Sequence, residues 1–146
     1  MNLKKAILTG LLAYALSFAA GIITLLILRI DPSTGTDIPN SAYIIGMFTS
    51  VLITVFCANL YFKGEKTSAE EGFKFGTIII AVSFLIDMFF FTTYTLTTAG
   101  TSQTVVDYYT NVYFWLTLVL VFITSALVGH FKRKGLTLNK RRRKKR

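Results

Sequence analysis

Four long apolar runs dominate this chain, and each is long enough to cross a bilayer. A helix rises about 1.5 Å per residue, so about twenty apolar residues cover a hydrocarbon core of roughly 30 Å. Backbone polar groups in lipid must be satisfied within the segment itself, which favours helices. The expected spans are about 6–29, 42–62, 73–95 and 112–131. With 146 residues and 53% hydrophobic content, the chain has room for one membrane domain, 1–135, and a basic tail, 136–146. The expected fold class is all-α, an integral membrane four-helix bundle.

The boundaries carry helix signals. Ser68 with Glu71 three residues later has the capping-box pattern, and Glu70 and Glu71 suit the positive end of the third helix. Asn40 or Ser41 is expected to cap the second span and Asn111 the fourth. Asp31-Pro32, Lys63-Gly64 and Lys132-Arg133-Lys134-Gly135 are expected to end the first, second and fourth helices. The first run resembles a signal peptide in having Lys4 and Lys5 ahead of it, but it continues past Ala19-Ala20-Gly21 to full span length, so we read it as a helix.

Charge orients the threading. Fifteen of the sixteen basic residues fall on one side if both termini lie there, and Arg29 alone falls on the other. The positive-inside rule then predicts a multi-pass protein of the cell membrane with both termini cytoplasmic. The net charge of +9 belongs to the C-terminal stretch from Lys132 to Arg146, which holds ten basic residues. Lys132, Arg133, Lys134, Arg141, Arg142 and Arg143 are expected to contact anionic lipid headgroups. Nucleic acid is a poor fit for a tail tied to four spans. Cys57 is the only cysteine, which rules out an intrachain disulfide and a multi-cysteine metal site. No cofactor is expected.

Each span has a stripe of small or hydroxyl residues at helical spacing. Gly10, Ala13, Ser17, Gly21 and Thr24 mark the first; Gly46, Ser50, Thr54 and Ala58 the second; Gly72, Gly76, Ser83, Asp87 and Tyr94 the third. Thr117 and Thr124 share a face of the fourth, and Ser125 and Gly129 form a second pair. Such residues let helices approach closely in lipid, so Gly21, Gly46, Gly72 and Gly76 are expected at helix contacts.

Asp87 is the residue most suited to chemistry. It lies roughly 21 Å beyond Phe73 by helical rise, in the half of the membrane away from the termini. A charge there is costly, so it must face the bundle and find a partner or hold a proton. Ser17, Ser50 and Thr117 lie at similar depth, and Arg29 is the expected ion-pair partner, directly or through water. Tyr14, Phe18, Phe48 and Phe56 are expected to pack or face lipid, and His130 to sit as an end-cap residue. No nucleophile–base constellation or nucleotide-binding motif is visible, so an enzyme is not expected.

Glu71-Gly72-x3-Gly76, Leu85-Ile86-Asp87 and Asp107-Tyr108 together carry a likeness. The chain resembles small four-span membrane proteins of bacteria and archaea that have no assigned activity. The likeness covers nearly the whole membrane core and not the tail, and this chain lacks their Trp and Asn in the third span. It implies a prokaryotic four-span topology and draws attention to Asp87. Two functions follow as expectations. The first is a non-enzymatic protein acting by association with a membrane partner or its own copies, as an accessory subunit, assembly factor or regulator. The second is a small oligomeric transporter or channel using Asp87 as an ion or proton site.

Overall fold

The computed structural model describes residues 1–30, 39–65, 67–97 and 109–143. Four helices make up the described fold: α1 (Leu3–Ile27), α2 (Asn40–Tyr61), α3 (Ala69–Thr97) and α4 (Val112–Arg143). All four are long and apolar enough to cross a membrane. Large apolar side chains such as Leu26, Leu52, Leu85 and Phe89 point outward, as a lipid-facing surface requires.

Around the bundle, α1 packs against α2 and α3, and α4 packs against the same two helices. The helices joined by the short 62–68 connection, α2 and α3, therefore lie on a diagonal. Tyr61 and Phe75 meet across that diagonal at the end of the bundle that holds the N-terminus, their rings stacked 4.4 Å apart at 5°. Phe62 closes edge-on against both rings.

The helix ends explain themselves locally. The Asn2 side chain accepts from the Lys5 amide, the Ser68 hydroxyl accepts from the Glu71 amide at 3.0 Å, and Asn111 accepts from the Tyr113 amide at 2.9 Å. The Glu71 carboxylate lies 3.6 Å from the N-terminal ammonium. Pro39, not Asn40 or Ser41, is the cap of α2 and offers no side-chain bond.

Two basic side chains cover the C-terminal carbonyls of α2. Lys5 Nζ donates to the Lys63 carbonyl at 2.6 Å, and Lys132 Nζ donates to the Asn59 carbonyl at 2.8 Å. Cations are favourable at this negative helix end. Lys132, expected at lipid headgroups, is thus turned onto α2.

Two expected boundaries are corrected. α1 stops at Ile27, ahead of Asp31-Pro32, in a Schellman turn: the Arg29 amide donates to Leu26 and the Ile30 amide to Leu25. Arg29 takes φ 54° at the position that favours glycine. Arg29→Gly is therefore expected to stabilise the fold by about 1 kcal/mol, read as a higher unfolding midpoint in detergent. An unchanged or lower midpoint would mean that the guanidinium has a compensating role. At the other end, α4 does not stop at Gly135 but continues to Arg143. A single glycine costs a helix about 1 kcal/mol, too little to end one flanked by Leu, Lys and Arg. The helix is about 48 Å long by its rise, well beyond one hydrocarbon thickness.

Core packing is uneven along the bundle. Buried residues concentrate toward the termini: Ala6 and Gly10 on α1, Cys57, Ala58 and Tyr61 on α2, Phe75 and Ile79 on α3, and Ser125 and Gly129 on α4. Here α3 and α4 run in close contact. A methyl group at Gly72 would strike the Ser125 carbonyl and the Ala126 backbone, and one at Gly129 would strike the Ser68 carbonyl. Gly76 faces the Ser125 side chain.

Candidate functional site: a cavity bordered by Asp87

In the half of the bundle away from the termini, the axis holds small residues instead of rings. Ser17, Gly21, Gly46, Ser50 and Ser83 come from three helices, and no large side chain fills the space between them. The result is a cavity of about 340 Å³ lined by all four helices. Ile79, Thr54 and Val121 form part of its lining on the side of the packed core.

Asp87 borders this cavity. Its Oδ1 accepts a hydrogen bond from the Tyr14 hydroxyl at 2.9 Å. α1 and α3 run in the same direction, and Gly10 lies against Val82. One turn further along both helices therefore brings Tyr14 level with Asp87. Among the described residues, no other side chain bonds the carboxylate and no ion pair reaches it.

The expected Asp87–Arg29 pair is accordingly corrected. Arg29 lies about 22 Å beyond Tyr14 by helical rise, is exposed, and does not line the cavity. A phenol on the neighbouring helix is nearer than the guanidinium and needs no movement of the backbone.

Ser17, Ser50 and Thr117 all line the cavity with Asp87. Thr117 donates to the Tyr113 carbonyl at 2.7 Å, and Thr24 and Thr49 likewise donate to carbonyls one turn back, which leaves their oxygens able to accept. The hydroxyls of Ser17, Ser50 and Ser83 make no hydrogen bond among the described residues. Gly21 and Gly46, expected at helix contacts, have nothing within 4 Å of where a methyl would stand. They widen the cavity; of the four glycines expected at contacts, Gly72 and Gly76 serve close packing.

Aromatic side chains complete the walls. Tyr14 lines the α1 side and stacks on Phe18, whose ring also borders the cavity but stays largely exposed, as expected of a lipid-facing residue and as Phe48 and Phe56 are. Tyr43 on α2 and Tyr113 on α4 stack across the bundle at 6.0 Å and 8°, and Phe114 lies beside them. Tyr109, just ahead of α4, packs edge-on against Phe84 and Phe114. Burial, and then the nearby Asp87 carboxylate, hold its phenol above the ordinary tyrosine pKa.

Comparison with protein-family models, curated proteins and solved structures finds no match for this chain.

The tyrosines are the signal in the sequence that is hardest to read. Tyr14 lies three residues before Ser17, on the stripe that also carries Gly21, so the face is legible while its phenol reads as packing. Among the described residues there is no group of three His, Cys, Asp or Glu able to hold a metal. His130 is exposed at the opposite end of the bundle, edge-on to Phe131. Of the basic residues expected at headgroups, Arg133 is exposed, while the side chains of Lys134, Arg141, Arg142 and Arg143 lie outside the described residues, as do Asp107 and Tyr108.

Proposed function

We propose that this small multi-pass membrane protein works by binding a small polar solute in the Asp87 cavity, as a transporter or solute sensor, without catalysis. The carrying observation is that Asp87, Ser17, Ser50 and Thr117 border one space within a single protomer. Intramembrane acids that face a cavity inside a bundle mark solute or ion pathways. Packed rings of Tyr61, Phe62 and Phe75 fill the other half of the bundle, so the site has the form of a vestibule rather than an open pore.

Positive-inside counting supports a cell-membrane orientation with both termini cytoplasmic, which turns the cavity toward the outer side. In the same proposal, the basic extension of α4 meets the anionic inner surface. Association with a partner, which rested on the short loops, the small-residue stripes and the basic tail, ranks below this reading, because part of those stripes, Ser17, Gly21, Gly46 and Ser50, lines the cavity.

Cysteine accessibility in sealed vesicles tests the proposal. Ser50→Cys and Ser83→Cys should react from the outer side with a small charged thiol reagent, whereas Ala58→Cys should not. Trypsin should cut the tail only when the inner surface is exposed. Labelling of Ser50→Cys from the inner side alone would reverse the orientation. No labelling from either side would remove the solute site.

A further inference from the structure

We propose that the Asp87 cavity is selective for an alkylammonium group, carried either by a free amine or by an aminolipid headgroup. This rests on the solute-binding reading and names its ligand class.

Four features of the cavity converge. Among the described residues, its lining holds one carboxylate and no lysine, arginine or histidine, so no basic side chain among them competes for Asp87. Tyr14 holds one carboxylate oxygen, and the second has no partner among the described residues. That oxygen is the natural acceptor for an N–H⁺ donor. The same cavity is lined by the rings of Tyr14, Phe18, Tyr43, Tyr113 and Phe114. Aromatic rings attract a cation through their quadrupole and also cover its alkyl carbons, and such rings are the recurrent walls of ammonium sites. Finally, a volume of about 340 Å³ lies at the small end of organic-ligand sites and is far larger than a bare ion needs.

Inorganic cations suit the lining less well. Calcium takes six to eight oxygens, commonly from several carboxylates, and magnesium demands near-octahedral geometry. One carboxylate and a set of hydroxyls spread over a wide cavity supply neither. An anion would meet Asp87 with no compensating cation among the described residues of the lining. A neutral solute would leave the carboxylate buried and unmatched. An ammonium ion satisfies the acid, the hydroxyls and the rings together.

The test uses the full chain in phosphatidylglycerol nanodiscs, with benzylammonium as probe and benzyl alcohol as its neutral counterpart, read by ligand-observed NMR and calorimetry. Benzylammonium should bind and benzyl alcohol should bind at least tenfold more weakly. Asp87→Asn should weaken benzylammonium by about a hundredfold, with helix content and gel-filtration profile retained. Tyr113→Leu should weaken it by about tenfold and leave the alcohol unchanged. If Asp87→Asn fails to fold, Tyr113→Leu and the paired probes still decide the matter. Adding phosphatidylethanolamine to the discs separates the sources: competition marks a headgroup ligand, and its lack marks a free amine, both within the proposed class. Equal binding of the two probes, or benzylammonium binding that survives Asp87→Asn, overturns the ammonium assignment. So does a lack of all binding in protein whose Ser50→Cys variant is labelled from outside, and the cavity reading then stands without it. Loss of that labelling instead brings down the solute site itself.

Discussion

Gly72→Ala is expected to destabilise the protein by about 3 kcal/mol, while Gly21→Ala is expected to stabilise it by about 0.5–1 kcal/mol. The substitutions are chemically identical and both sit in membrane-spanning helices. At Gly72 the added methyl meets the Ser125 carbonyl and the Ala126 backbone, neither of which can turn aside as a flexible side chain can. The two helices must separate, and the separation opens voids around Phe75 and Ile79 in the packed core. In lipid no hydrophobic force draws them together again, and lipid tails do not reproduce the close van der Waals packing between the two helices. At Gly21 the methyl meets nothing within 4 Å, and the conformational penalty of a helical glycine is removed. Reversible unfolding in mixed micelles measures both. Equal effects at the two sites would mean that α3 and α4 pack more loosely than their geometry implies.

Gly46→Leu is expected to leave the fold intact and to abolish solute binding in the cavity. Gly46 lies on the α2 wall beside Ser50 with open space in front of it. A leucine there occupies a large part of the available volume and places an apolar side chain on the approach to Asp87. Burial of that side chain contributes about 1.5–3 kcal/mol if it seats without strain, so the unfolding midpoint should hold or rise as binding disappears. Opposite changes in stability and binding are difficult to obtain from a residue whose only role is to hold the fold together. A Gly46→Leu protein that keeps wild-type binding would place the solute elsewhere. One that fails to fold would mean that α2 and its neighbours close further than the open space around Gly46 allows.

The small-residue stripes thus serve two purposes, and the difference is not legible in the stripes themselves. Gly46-x3-Ser50 and Gly72-x3-Gly76 look alike along the chain. What separates them is the element opposite. Gly72 and Gly76 meet Ser125 and its backbone, whereas Gly46 and Ser50 share their level of the bundle with Ser17, Gly21 and Ser83. Asp87 shows the same limit. A carboxylate so deep in an apolar segment had to find a polar partner, and that much is solvation physics. Which partner it found depended on which helix ran beside α3, and in which direction.

The apolar runs, their lengths and their caps determined the local structure. Twenty-odd apolar residues admit only a helix when the backbone cannot bond to lipid, and Ser68 and Asn111 begin two of the helices because their oxygens satisfy free amide groups. The tertiary structure decided what those terms do not reach: the diagonal placement of α2 and α3, the seating of Tyr14 on Asp87, and the division of the bundle into a packed half and a hollow one. Each depends on side-chain volumes summed across four helices at one level of the membrane. That sum is undefined until the helices have neighbours.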